Sequence, residues 1–207
     1  MTATKMKKFY DAVSIEKRED GWCLLLDGKE VKSPAKTALR VTSEALAQAI
    51  AEEWRRQGDD IDLEQMPNTR MSFGAMDISQ EEITNLQVHI AGYAETDLLC
   101  YRVSAEEDEV LAKRQHAAWS PWLVWAEKSC GLSFEVTEGI MPIAQSQEAL
   151  DAVRKRVAML SPWELVPMGI LTGQLGSYLL AEAVREGELD INQAIDASFL
   201  DLSLIHI

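Results

Sequence analysis

Cysteine, histidine and basic residues are all scarce in this sequence, and each shortage removes a class of function. The three cysteines, Cys23, Cys100 and Cys130, are an odd number with no CxxC pair. That pattern argues against a disulfide framework and a structural zinc site, and it fits a reducing compartment. Only three histidines occur, and His89 and His116 lie in amphipathic stretches with no acidic or cysteine neighbour at metal-ligand spacing. No HExxH, GxSxG or Walker lysine motif is present. Lysine and arginine total 20 against 34 acidic residues, a net charge of −14. A balance of that sign disfavours nucleic acid and anionic lipid, whose phosphates are bound by neutralising cations. There is no apolar run behind the basic start, so no secretory signal is expected, and no Arg-rich amphipathic leader is seen. A bacterial cytoplasm is the expected compartment, or a mitochondrial matrix for an organellar protein.

What remains is an ordinary globular composition, 47% hydrophobic and 26% charged over 207 residues. It is enough for one large domain or two small ones with a buried core. Residues 1–66 read as a small antiparallel sheet of hairpins with one packed helix. Trp22 to Leu26 is an apolar run ending in Asp27-Gly28, a pair suited to the positive φ of both central residues of a tight hairpin. The partner strand is expected over Lys29 to Lys32, and a further strand over Ala38 to Val41. A helix over 43–57 follows from the Thr42-Ser43 cap and the spacing of Leu46, Ile50 and Trp54. Its face of Glu52, Glu53, Arg55 and Arg56 is expected in water, and Trp54 in the core. Asp59 to Pro67 reads as a linker.

Residues 67–207 read as mainly helical, which makes the fold class α+β. Capping boxes at Ser79 to Glu82, Ser104 to Glu107 and Ser161 to Glu164 mark helix starts. The second of these opens a helix expected to run through Trp119, Trp122 and Trp125, kinked or restarted at Pro121. A short extended piece is expected over Ser133 to Thr137, and the last helices over 169–186 and 190–200. Gly169, Gly173 and Gly176 are followed by no phosphate-binding lysine, so they read as small residues that let helices approach closely. The uncharged stretch Leu165 to Ala181 is too short and too polar to span a bilayer and reads as a buried helix.

Carboxylates such as Asp97, Glu135 and Glu138 are plentiful, but nothing pairs them for acid–base work, and solvated surface accounts for most. Asp97 and Arg102 bracket the apolar Leu98 to Tyr101 and are candidates for an internal ion pair. Of Trp119, Trp122 and Trp125, two are assigned to the core and one to a partner, since tryptophan serves both places. A small hydrolase or transferase with a carboxylate-based site stands as the alternative to a binding protein.

Several segments together resemble the F-type ATP synthase assembly chaperones that act on the α subunit of the catalytic head. They are Lys8-Phe9-Tyr10, Leu25 to Gly28 with Val31 and Ser33 to Lys36, Ile50 to Trp54 with Gln57-Gly58, and Met66-Pro67 with Thr69-Arg70. Further matches are Tyr93 with Glu95 to Arg102, Gln115 with Trp119 and Pro121, Val136 to Pro142, and Leu171 to Gly173 with Ser177. The resemblance implies a two-part α+β protein that binds the unassembled α subunit and prevents its aggregation. It implies no catalysis and no cofactor, and a monomer without membrane insertion is expected. Arg70, Asp97, Tyr101 and Glu138 lie in the matching segments and are the expected partner-binding residues. The ending Leu202 to Ile207 departs from the resemblance and matches a translated sequencing adaptor, so it is read as a non-native tail.

Overall fold

The computed structural model describes residues 6–139 and 141–200, so the tail 202–207 lies outside the described residues. The chain divides into two compact units, one ending at Ser79 and the other beginning at Gln80.

The first unit opens with β1 (Met6–Lys7), β2 (Val13–Arg18), β3 (Gly21–Leu26) and β4 (Lys29–Glu30). Strands β2, β3 and β4 form an antiparallel sheet in that order. The β3–β4 turn has φ of 48° at Asp27 and 77° at Gly28, the positive pair that the Asp-Gly step predicts. The Asp27 carboxylate fixes this corner by accepting the Asp11 and Ala12 N–H groups. The segment expected as a strand over Ala38 to Val41 is instead joined through single bridges, Lys32 to Ala38 and Trp22 to Val41. At the second bridge Gly21 has φ of 135°, and a Cβ there would stand 2.8 Å from the Val41 carbonyl oxygen.

Helix α1 (Glu44–Arg55) starts where the Ser43 hydroxyl accepts the Leu46 N–H. It lies against β2 and β3 and buries Ala47, Ile50, Ala51 and Trp54, one helical face. The Tyr10 hydroxyl donates to the Trp54 carbonyl at 2.7 Å, tying the approach to β2 onto the helix end. The expected linker is ordered structure: β5 (Asp60–Ile61) pairs with β1, and Leu63–Gln65 makes a single 3₁₀ turn.

Helix α2 (Pro67–Asp77) begins without a capping side chain of its own, since Met66 occupies the cap position. Glu53 supplies the cap from α1. Its buried carboxylate accepts the backbone N–H groups of Asn68 at 2.7 Å and Thr69 at 2.8 Å, plus both their side chains. Glu53 is therefore not on a wet face as its charge suggested. An anion at the first turn of a helix meets unpaired N–H groups and the positive end of the helix dipole. This contact draws α2 into the first unit, so the division falls after Ser79 and later than the break expected near Met66.

The second unit contains α3 (Gln80–Gly92), β6 (Tyr101–Arg102), α4 (Glu109–Trp125), β7 (Thr137–Glu138), α5 (Gln147–Ala158), α6 (Pro162–Leu175), α7 (Tyr178–Arg185) and α8 (Ile191–Ser198). Helix α7 is the centre, with every residue from Tyr178 to Ala183 buried. Around it Ile90, Leu99, Trp119, Val153, Leu165 and Met168 belong to one apolar core. The Trp119 indole N–H donates to the Ala197 carbonyl at 2.9 Å, so this tryptophan also anchors α8. Trp122 and Trp125 meet edge to face and remain half-buried.

Three helix boundaries differ from expectation. Helix α4 starts at Asp108, whose carboxylate accepts the Leu111 N–H, while the Ser104 hydroxyl closes only a turn. Pro121 sits inside α4 without ending it; the helix widens into a π turn over Ala126–Cys130 and stops at Gly131 in the left-handed region. The helix expected over 169–186 is two helices, because Gly176 adopts φ of 63° and the Ser177 hydroxyl caps a new start. The box at Ser161 and Glu164 is present with both its hydrogen bonds. Gly169 allows the close helix approach expected of it: a Cβ would lie 2.6 Å from Leu86 Cδ1.

Gly21→Ala is expected to destabilise the protein by about 1–3 kcal/mol, from positive-φ strain together with the clash on Val41. Urea unfolding of the two proteins measures it, and Gly28→Ala at the open turn should cost less because no atom crowds that position.

Candidate functional site

Two of the expected partner-binding residues are adjacent in space. Strands β6 and β7 pair in parallel with Tyr101 opposite Thr137 and Arg102 opposite Glu138. Tyr101 is half-buried and Glu138 exposed; of the extended piece expected over 133–137 only Thr137 lies in a strand, β7, which pairs with β6. Arg70 is exposed on α2 in the first unit.

Asp97 is placed differently. It is 0% exposed, so its side chain is out of reach of a partner. One carboxylate oxygen accepts the Leu99 N–H at 3.0 Å and the Ser177 hydroxyl at 2.8 Å; the other accepts the Leu179 N–H at 3.0 Å. Asp97 therefore caps a 3₁₀ turn and the first turn of α7 together. Burial raises its carboxyl from the ordinary 3.8 to about 6, while the donors from Leu179, Leu99 and Ser177 pull it back. The expected ion pair with Arg102 does not form among the described residues. The Arg102 guanidinium instead donates to the Ser120 hydroxyl at 2.9 Å, close to His116, and burial lowers its pKa.

A third buried carboxylate, Glu182 on α7, is met by cations. Arg156 approaches it at 2.6 Å and Arg185 at 2.9 Å. Burial pushes this carboxyl up, but the hydrogen bonds from Arg185 and Arg156 outweigh burial and hold it below its usual value. The thiols offer no nucleophile either: all three cysteines are free, and burial pushes Cys100 up to about 12. Among the described residues no group of His, Cys, Asp and Glu is arranged to hold a metal ion.

A groove of about 460 Å³ lies on the first unit. Its walls are mostly apolar, from Met6, Phe9, Tyr10, Trp54, Leu63 and Phe73, and Lys29 and Lys32 also line it. Phe9 is 62% exposed, and Met6 and Leu63 are about half exposed, which is unusual for side chains of this size on a shared surface. The wall comes from β1, the approach to β2, α1, the turn at 63–65 and α2. Along the chain Phe9 stands out only within the family-like segment Lys8-Phe9-Tyr10, because a period in sequence cannot report which distant segments face each other. Among the described residues no helix is long and apolar enough to cross a membrane.

The apolar groove is open to solvent, and the buried carboxylates of Glu53 and Asp97 are engaged in holding helix ends. The family model of the ATP12 chaperone protein matches residues 7–127. The fold is similar to that of Atp12 from Paracoccus denitrificans, with a TM-score of 0.87 and 34% identity over 96% of this chain and 84% of that chain. A point mutant of the same P. denitrificans protein gives 0.88 and 34% over the same shares. The Atu1473 protein of Agrobacterium tumefaciens gives 0.86 and 33%, covering 96% of this chain and 74% of that chain. This chain belongs to the ATP12 chaperone family, the assembly-chaperone family that its sequence resembles.

Asp97→Asn should destabilise the protein by about 1–3 kcal/mol, because an amide cannot accept on both sides and leaves a buried donor unmet. The pH dependence has a definite sign. A carboxyl raised to about 6 binds its proton more tightly in the folded state than in the unfolded one. The stability of the natural protein relative to Asp97→Asn should therefore fall as pH rises from about 4 to about 6 and stay level above. Thermal melts of both proteins across that range measure it; a gap that widens with pH would show the carboxyl is held below its ordinary value.

Proposed function

We propose that this chain binds the unassembled α subunit of the F-type ATP synthase catalytic head and keeps it from aggregating until its native partner takes over. Membership in the ATP12 chaperone family carries this reading. The physical need is plain: an orphan subunit exposes the apolar surface meant for its neighbour, and such surfaces associate. A chaperone that covers this surface must bind it less well than the true partner does, so that release is downhill. The net charge of −14 supports the role by keeping a complex with an aggregation-prone client in solution.

The chain acts as a monomer without a cofactor, in a bacterial cytoplasm or the corresponding mitochondrial compartment, and transforms no substrate. The hydrolase alternative draws on Asp97 and Glu138, and their surroundings speak against it. Asp97 is sealed from solvent with its oxygens occupied, whereas Glu138 is exposed. Tyr101 and Glu138 on the β6–β7 ladder, with Arg70 on α2, are the expected residues that remain available to a client.

The tagged chain, co-expressed with the α and β subunits, should retain free α subunit and not the completed catalytic head. Recovery of β alone, or of neither subunit, counts against the proposal.

A further inference from the structure

The small ladder of β6 and β7 has edges that the protein treats unequally. Along a strand the N–H and C=O of one residue point to one side, and those of the next point to the other. Arg102 and Gly139 turn theirs into the ladder, where the Arg102 carbonyl accepts the Gly139 N–H at 2.7 Å. On the outer side of β6 the Leu98 carbonyl accepts the Tyr101 N–H, and the Gln115 side-chain oxygen accepts the Val103 N–H at 2.8 Å. Ahead of β7 the Gln145 side chain accepts the Glu135 N–H at 2.9 Å and donates to the Glu135 carbonyl at 3.0 Å, standing in for a strand partner. Gln115 and Gln145 are both buried, so two side-chain amides are committed to closing backbone rows. The outer side of β7 is left open. Val136 and Glu138 present their N–H and C=O groups there, and these groups have no partner among the described residues. Both residues are exposed, Val136 by 40%.

A donor and an acceptor at every second residue of an extended segment are matched in full only by another extended backbone. The longer strand β2 also has an outer edge, but it ends in Glu16, Lys17 and Arg18, and charge of that kind discourages pairing. Val136 and Thr137 carry no such guard, and as β-branched residues they suit a strand. We propose that the outer edge of β7 receives an extended segment of the client polypeptide as a third strand, hydrogen-bonded to the backbone of Val136 and Glu138. The proposal rests on the reading of the chain as a chaperone and states how the client is held. Because β6 and Gln145 already hold this segment extended, little freedom on the chaperone side is lost when the client strand arrives. Backbone bonds set the mode of binding, and Val136 offers the added strand one apolar contact.

Two probes separate this strand site from the wider functional reading. The first uses the full chain and two fluorescent heptapeptides of alternating valine and threonine with a lysine at each end, followed by anisotropy. One peptide is unmodified; the other is N-methylated at every valine and threonine, which keeps its side chains and removes its donors. The unmodified peptide should bind at least about fivefold more tightly, since each lost hydrogen bond is modest alone. Glu138→Pro removes a backbone donor that the fold does not use, so circular dichroism should be unchanged while the unmodified peptide binds about threefold or more weakly. Equal binding of the two peptides to the natural chain overturns the strand site, and that comparison needs no variant to fold.

The second probe is the α-subunit capture described above, repeated with Glu138→Pro and with Lys17→Pro as control. The Lys17 N–H also points outward, because the Ala12 carbonyl accepts the Asp27 N–H and every second residue of β2 from there faces β3. Capture weakened about threefold or more by the first variant and kept by the second supports the site, as does slowed hydrogen exchange of the Val136 and Glu138 amides in the captured complex. If Glu138→Pro captures α subunit as well as the natural chain does, the strand site falls while the chaperone reading stands. If the natural chain captures none while the peptide preference holds, the chaperone reading falls and the strand site remains. A dimer in sedimentation whose Val136 and Glu138 amides are protected without client assigns the edge to a second copy and overturns the proposal.

Discussion

A carboxylate removed from water must find donors, and in this protein the donors are the free N–H groups at the starts of helices. Glu53 takes up the first turn of α2 and Asp97 the first turn of α7, each from a different element of the same unit. An isolated helix end is a local matter that a neighbouring serine can settle. A helix end capped from another element is a tertiary joint, because neither partner is satisfied until both are in place. The joint at Asp97 reaches further than the other. By holding Ser177 and Leu179 it turns the chain at Gly176 and starts α7 in the middle of the apolar core, where α4, α6 and α8 pack on it.

The same constraint bears on function. Acids that could have formed a reactive pair are committed to backbone N–H groups or, at Glu182, to arginines, and the surrounding thiol is buried and hard to ionise. Chemistry of the reacting kind needs groups free to change their protonation or their bonds. These are held fixed. Among the side chains facing solvent are the large apolar ones around the groove, Phe9, Met6 and Leu63. A frame braced by internal caps also keeps such a surface open, since the side chains around the groove rest on strands and helices that are themselves pinned.

Much of this architecture is legible along the chain because its causes are local. The Asp27-Gly28 turn, the Ser43 and Ser161 starts and the α1 stripe through Ile50 and Trp54 each depend on residues within a few positions of one another. Where expectation and structure part, a distant residue had intervened. Glu53 reads as surface until Asn68 and Thr69 arrive beneath it, and the charged face of α1 is then split between water and α2. The apparent helix over 169–186 breaks because Gly176 and Ser177 answer Asp97, about eighty residues away. Asp97 itself looks like a surface or ion-pair residue, since sequence spacing offers Arg102 as a partner and cannot offer the backbone of Leu179. The β6–β7 ladder was half visible: the extended piece near Thr137 could be read, its partner at Tyr101 could not.

From sequence alone come the α+β class, several of the helix starts, and the family resemblance carried by ordered motifs along most of the chain. These rest on composition, on short-range periodicity and on capping, which act between near neighbours. Tertiary structure alone decided which carboxylates face inward, where the first unit ends, and that Met6, Phe9, Leu63 and Phe73 share one groove beside Lys29 and Lys32. Burial and juxtaposition are properties of segments brought together from far apart, and the energy that selects them arises only when the core closes and water leaves.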